Sequence, residues 1–201
     1  MSADDEAVWA EIRALQRRLD AAEAVLAIHE LKARYGELVA ARFERGRLKE
    51  EHELARLADA IAATFTEDGV WDGGPALGTA TGRAEIAARL RTSPLTFSRH
   101  LFVKPQIQVD GDRATGRWDI LAPCTFADGS AKWMSGVEDD VYARGADGVW
   151  RHERMTLTTV FLAPPSDGWG RIFTCGGGVP ASARRRAHPR EAARVVTPAD
   201  A

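Results

Sequence analysis

The sequence predicts an α+β fold in which N-terminal helices cover one face of a curved sheet. Three observations carry this. Apolar residues over roughly the first 65 positions recur at helical spacing, those from Phe97 to Phe161 alternate with period two, and "DGD", "ADGS" and "GADG" break the alternating run into turns. Helical and strand patterns that are segregated along the chain indicate helices packed on an antiparallel meander.

At 201 residues, 45% hydrophobic and 28% charged, the chain reads as one globular domain with extensions. A formal net charge of -2 gives no electrostatic footprint for nucleic acid. No run approaches the roughly 18 apolar residues of a membrane span. The start "MSADDEAVWAEIRALQ" is acidic and amphipathic, unlike a secretory signal, and the expectation is a cytoplasmic protein. Cys124 and Cys175 stand far apart without a CxxC and read as buried free thiols.

Taken in order, Ser2 and Asp5 form a capping-box pattern, and Val8, Ile12, Leu15, Leu19, Ala22 and Leu26 follow at four-three spacing on one helical stripe. This stripe either packs on its own domain or zips against another subunit. A second amphipathic helix is predicted over "AIHELKARYGELVAARFERG", with Ile28, Leu31, Tyr35, Leu38, Val39 and Phe43 on one face and Gly46 as its stop. A third carries Leu54, Leu57, Ala58, Ile61 and Phe65 and is closed by "TEDG". "VWDGG" predicts a short strand and turn, and "TGRAEIAARLRTS" a short helix. Strands are expected at about 97–109, 114–124, 131–144 and 149–162. In the first of them Leu101, Val103, Ile107 and Val109 fall on one parity and His100, Phe102, Lys104, Gln106 and Gln108 on the other. His100 is then either solvated or turned into a pocket. The predicted divisions are an N-terminal helical extension over 1–26, a domain over 27–170, and an extended or disordered tail over 171–201.

Most chemical motifs are absent. The tail's Arg184, Arg185, Arg186, His188 and Arg190 have no interleaved aromatic residues for base stacking and read as a solvated run. The glycines before Val179 lack the Lys-Ser/Thr of a phosphate loop, and Gly74, Gly78 and Gly82 do not form a dinucleotide fingerprint. His29, His52, His100, His152 and His188 include no pair at metal-ligand spacing, so no metal is predicted. No Ser stands in G-x-S-x-G. What remains is an arrangement: His100 on one strand, Glu138, Asp140 and Tyr142 on one parity of another, His152 and Arg154 on the last, and Tyr35 on a helix. An oriented imidazole can take a proton at neutral pH.

The strings "AIHELKARYGELVAARF", "FTEDGVWDGG", "GRAEIAARL", "RHLFVKPQIQVDGDRATGRWDI", "ADGSAKWMSGVEDDVYAR" and "GVWRHERMTLTTVFLAPPSDGW", in this order, resemble the SnoaL-like branch of the nuclear transport factor two-like superfamily, over about residues 27–170. That branch includes polyketide cyclases, scytalone dehydratase and bile acid dehydratase. The resemblance implies a cone, a curved mostly antiparallel sheet wrapped around the N-terminal helices, enclosing a pocket for a hydrophobic polyketide, steroid or terpenoid. It implies that His100 points into the cavity as a base, that Tyr35 polarises a carbonyl, and that Arg154 lies near a substrate-contacting basic position. It also implies a homo-oligomer, dimer or trimer, built through the outer sheet face.

Two departures stand out. The helix aspartate of the dehydratases is replaced by Ala40, and Glu37 and Glu44 lie opposite Tyr35 by helical angle. Glu138 replaces a common aromatic residue, and it either stands in for the lost acid from the other wall of the pocket, pairing with His100 or Arg154, or reaches the rim or pairs with an arginine in an oligomer interface.

The resulting expectation is a cofactor-independent lyase or isomerase of dehydratase or cyclase type. His100, Tyr35, Arg154 and Glu138 are its candidate catalytic residues, and Trp71, Phe102, Trp118, Trp133 and Asp140 its candidate substrate contacts. The alternatives are a non-catalytic small-molecule-binding protein, favoured by Ala40, and an oligomeric scaffold organised by the first helix.

Overall fold

A single helix opens the chain. In the computed structural model, which describes residues 2–165, α1 spans Ala3–Ala41. Its start is closed by a capping box: the Asp5 N–H donates to Ser2 Oγ at 3.2 Å, and the Ser2 N–H donates to Asp5 Oδ2 at 2.8 Å. Two helices were expected here, but "AAEAVLAIHELKARY" contains no Gly or Pro and is rich in strong helix formers, so nothing interrupts the rod at residue 26. Gly46 is not the helix stop either. Phe43–Glu44 (β1) and Arg47–Leu48 (β2) form a small hairpin whose two turn residues, Arg45 and Gly46, have φ of 51° and 76°, as a two-residue primed turn requires.

α2 spans Glu51–Ala62 and buries Leu54, Leu57, Ala58, Ile61 and Ala62. It ends before "TEDG", because Thr64 Oγ1 donates to the Ile61 carbonyl and Phe65 already faces the core as the first residue of β3, Phe65–Asp72. A one-turn helix α3 (Gly74–Leu77), β4 (Thr79–Thr81) and α4 (Gly82–Leu90) follow. The remaining strands are β5 (Leu95–Ser98), β6 (Leu101–Asp110), β7 (Arg113–Phe126), β8 (Ala131–Arg144) and β9 (Trp150–Ala163).

The main sheet runs β4-β3-β9-β8-β7, with β5 and β6 paired one after the other along the remaining edge of β7. Every pairing is antiparallel except β3 with β9. β7 shows why the sheet has an inside. Ala114, Gly116, Trp118, Ile120, Ala122 and Cys124 are buried at every second position. Their neighbours are turned outward, and there Arg117 pairs with Asp139 and Lys104 with Asp119. Gly116 leaves room for Tyr142, since a Cβ at this position would stand 2.8 Å from the Tyr142 ring.

Three irregularities change which side chains face inward. The expected strand over 97–109 is two strands, broken at Arg99 and His100 opposite Pro123, which has no N–H to give to a ladder. Lys104 (φ 50°) and Pro105 together oppose the single residue Trp118, forming a β-bulge. The bulge switches parity: Phe102 packs inward with Ile107 and Val109, whereas Leu101 and Val103 are 45% and 46% exposed, contrary to the uninterrupted alternation expected. On β9, Tyr142 pairs with His152 and Val141 with Arg154, so Glu153 is the extra residue; His152 is buried and Arg154 is exposed.

Two apolar clusters fill the interior. One joins Tyr35 and Val39 of α1 to Ile61, Phe65, Trp71, Ile86, Leu90 and Met155, and the other joins Ala24 and Ile28 to Trp118, Tyr142 and Trp150. Phe102 packs against both. Ile28, Ile61, Phe65 and Ile86 are fully buried, each worth about 1.5–3 kcal/mol relative to exposure. Among the described residues, no helix is long and apolar enough to cross a membrane and no His, Cys, Asp or Glu group could hold a metal. Cys124 is a buried free thiol. The predicted tail over 171–201, with Cys175 and the arginine run, lies outside the described residues.

Candidate functional site

The face of α1 that packs on the sheet reads Ala24, Ile28, Lys32, Tyr35, Val39 at steps of four, four, three and four. Lys32 therefore occupies a core position, 1% exposed. Its Nζ donates to Glu138 Oε2 at 2.5 Å and to Asp140 Oδ2 at 2.6 Å, and lies 4.5 Å from the centroid of the Phe102 ring. Both carboxylates come from β8, where they alternate inward with Tyr142. The Tyr142 hydroxyl donates to Asp140 Oδ2 at 2.6 Å and accepts from Trp118 Nε1 at 3.0 Å. Asp140 Oδ1 is buried without a partner.

Desolvation opposes the charge on Lys32, but the two carboxylates outweigh it and raise its pKa. Burial pushes Glu138 above the usual carboxylate range; Lys32 pulls the other way, and the neighbouring Asp140 charge adds to the rise.

Glu138 also lines a cavity of about 70 Å³ between the C-terminal part of α1, α4 with residues 92–95, and the inner faces of β3, β8 and β9. Tyr35, Trp71, His100, Arg42, Arg89, Met155 and Leu157 line it as well. Trp71 Nε1 donates to the Tyr35 hydroxyl at 3.0 Å, leaving that hydroxyl's own proton to be given elsewhere. Burial, with the Glu138 charge adding to it, raises the Tyr35 pKa, so the phenol stays protonated. His100 is stacked at 6.1 Å on Phe102, and its Nδ1 is buried without a partner. Desolvation, reinforced by the Arg42 and Lys32 charges, lowers its pKa to about 4, which makes it a neutral imidazole at pH 7.

Arg42 and Arg89 supply the cavity's cations. Arg42, only 6% exposed, donates to the carbonyls of Leu90 at 2.9 Å and Val39 at 3.3 Å, while Arg89 donates to the Leu77 carbonyl at 2.8 Å. The first two carbonyls lie in the last turns of α4 and α1, so Arg42 ties two helix ends to the cavity wall.

The predicted residues thus divide. His100, Tyr35, Glu138 and Trp71 meet at the cavity. Phe102, Trp118 and Asp140 lie in the adjoining buried layer, where Phe102 carries Lys32 and Trp118 reaches Asp140 through Tyr142. Arg154 does not join them, because the bulge at Glu153 turns it to the exposed face. Trp133 lies on the opposite parity of β8 from Glu138 and is only half-buried. Sequence reasoning missed Lys32 and Arg42. The signal for Lys32 was its place between Ile28 and Tyr35 on the apolar stripe; Arg42, beside the helix end, left none.

His152 is a second buried imidazole, its Nδ1 placed to donate to the Thr64 carbonyl at 3.2 Å and its Nε2 without a partner. It contacts Tyr35, Phe65 and Tyr142 ring to ring and does not line the cavity.

The chain matches the SnoaL-like domain family over residues 55–156, just over half its length, and belongs to that family. Among solved structures, ActVI-ORFA from Streptomyces coelicolor superposes with a TM-score of 0.52 at 24% identity, covering 68% of this chain and 97% of that one. An NTF2-like protein with a cystatin-like fold from Novosphingobium aromaticivorans gives a TM-score of 0.51 at 24% identity, covering 81% and 91%. A protein from Catenulispora acidiphila solved in complex with S-DNPA gives 0.51 at 24% identity, covering 69% and 94%. These likenesses are of fold: a helix-backed, curled, mostly antiparallel sheet. A comparison with curated proteins gives no match.

Proposed function

We propose that this protein is a cofactor-independent lyase or isomerase, of dehydratase or cyclase type, acting on a hydrophobic carbonyl compound of the polyketide, steroid or terpenoid kind. The observation that carries the proposal is the meeting, in one cavity, of a neutral imidazole with an unpartnered nitrogen (His100), a hydroxyl with a free proton (Tyr35), a buried cation (Arg42) and a carboxyl of raised proton affinity (Glu138). His100 removes the proton beside the carbonyl. The electron pair moves onto the carbonyl oxygen, where Tyr35 donates a hydrogen bond and the Arg42 charge, rather than that of Arg154, stabilises the enolate. For a dehydration, the enolate re-forms the carbonyl and expels the β-hydroxyl, which takes a proton from the protonated form of Glu138 that the raised proton affinity makes accessible, and leaves as water. The proton held by His100 then returns to Glu138 through solvent. For an isomerisation, His100 gives its proton back at another carbon. Lys32 holds Glu138 in place from behind. A cavity of about 70 Å³, under half of the roughly 150 Å³ that holds a benzene ring, admits the carbonyl group and its α-carbon, and the rest of the substrate extends outward past Leu77 and residues 92–95.

A second reading, a binding protein without catalysis, is favoured by Ala40 and by the absence of an orienting partner on His100 Nδ1. Deuterium exchange separates the two. The full chain is incubated with 2-tetralone in D2O, and α-proton loss is followed by NMR. Exchange above the buffer rate that disappears in His100→Ala, with the circular dichroism spectrum unchanged, supports the enzyme. Binding of 2-tetralone with exchange no faster than buffer supports the binding protein.

A further inference from the structure

We infer that the N-terminal part of α1 pairs with the same segment of a second copy of this chain, as a parallel two-stranded coiled coil over residues 8–26. The helix carries two apolar stripes. Ala24, Ile28, Tyr35 and Val39 face its own domain, and among the described residues none before Ala24 is buried. Val8, Ile12, Leu15, Leu19, Ala22 and Leu26 make the other stripe. At about 100° per residue it lies about 180° around the helix axis from the first, so the packing that docks α1 onto the sheet turns this seam away from the domain. Val8, Leu15, Leu19 and Leu26 are accordingly 57%, 49%, 58% and 64% exposed. The unbroken helix carries this seam directly into the domain-packing stripe, which holds it in a fixed direction.

The spacing specifies the occupant. Strict four-three repetition is the period that keeps a seam in contact with another helix. Ile12, Leu19 and Leu26 take the a positions and Val8, Leu15 and Ala22 the d positions; the one Ile12–Leu15 layer has the pairing that suits two parallel strands, and the flanking charges carry the choice of that arrangement. In that register Arg18, at g, faces Glu23 of the second copy, at e, and the symmetric contact repeats it. Within one chain these two exposed residues form no ion pair with each other among the described residues.

The test is sedimentation equilibrium on the full chain. The expected result is a dimer, or an even multiple if another surface also associates. Leu15→Glu/Leu19→Glu, at positions exposed in the single chain, should halve that mass and lower the helical signal and melting temperature, while the domain keeps a cooperative unfolding transition. Arg18→Glu should raise the dissociation constant severalfold, and adding Glu23→Arg should restore it. A monomeric wild-type chain overturns the inference, since the seam is then covered by something other than its own copy. A mass indifferent to Leu15→Glu/Leu19→Glu places the contact elsewhere, for instance at the exposed Leu101 and Val103 of the sheet, and also overturns it. A charge reversal without rescue overturns the parallel register.

Discussion

Lys32→Met should be among the most damaging single substitutions in this protein, and its damage should depend on pH. The methionine fills the volume of the lysine stem, so the loss isolates the ammonium. What remains is Glu138 and Asp140, 3% and 2% exposed, side by side on one strand with no cation between them. Removing one partner of a buried ion pair costs about 3–5 kcal/mol. For a domain of this size that is a fall in melting temperature of roughly 6–20 °C, at about 2–4 °C per kcal/mol. The pH dependence has a definite sign. Glu138 already has a folded-state pKa above its unfolded one, so between those values the folded state binds more protons and stability falls as pH rises. Without Lys32 the Glu138 carboxyl loses the one charge that pulls its pKa down and moves further in that direction, so the cost relative to wild type is greatest at pH 7 to 8 and shrinks toward pH 5. The assay is urea unfolding of wild type and variant across this range, with the difference taken at each pH so that titrations common to both cancel. The neutral triple variant Lys32→Met/Glu138→Gln/Asp140→Asn should recover most of the loss at pH 7. A destabilisation below about 1 kcal/mol, the size of an exposed pair, or one that does not change with pH, would refute the reasoning.

Other consequences follow from the same geometry. Tyr35→Phe leaves the Trp71 indole N–H without its acceptor and should cost about 1–3 kcal/mol in unfolding free energy while removing α-proton exchange. Gly116→Ala drives a methyl group into the Tyr142 ring and should cost about 1–3 kcal/mol, read by thermal melting. Arg154→Ala, on the exposed face, should change stability by less than about 0.5 kcal/mol and leave exchange at the wild-type rate. In the proposed reaction a neutral His100 is the base, and with burial lowering its pKa to about 4, kcat/KM should hold level down from neutral pH and drop only as the imidazole gains a proton near that value.

The parts of this fold that follow a regular period were legible in the chain. The capping box, the stripes of α1 and α2, the alternation of β7 and β8 and the segregation of helices from sheet all result from local spacing meeting one apolar interior. What escaped was set by single residues that break a period. Lys104 and Pro105 insert one residue into β6 and invert its faces, so that Phe102 rather than Val103 looks inward. Glu153 does the same on β9 and removes Arg154 from the site. Lys32 was hidden for the opposite reason: it keeps the period perfectly, but a cation on a core stripe reads as an interruption until the carboxylates from a strand more than a hundred residues later are placed against it. Arg42 lies just beyond the helix, where no repeat applies, and its position depends on α4 arriving from elsewhere in the chain.

The buried charges bear on function because they are a poor way to gain stability. Burying an ammonium and two carboxylates costs several kcal/mol of hydration per ion, and a well-packed apolar set of similar volume is often as stable or more so. Here the positions around them are already apolar: Ile28 and Tyr35 flank Lys32 on α1, and Trp118 and Phe102 lie across from it. An apolar trio at 32, 138 and 140 would extend the existing clusters without a break. The trio present instead places one carboxyl at the cavity wall with its proton affinity raised and holds it from behind with Lys32, while Tyr142 and Trp118 fix Asp140. Stability alone gives no reason for the acid at 138 to face the cavity rather than the second cluster, whereas proton transfer at that wall does. If so, Glu138→Gln, which keeps the shape and the Lys32 contact, should leave the melting temperature within a few degrees of wild type and abolish dehydration of a β-hydroxy ketone while sparing α-proton exchange by His100. Loss of both activities together would mean that Glu138 only positions the base.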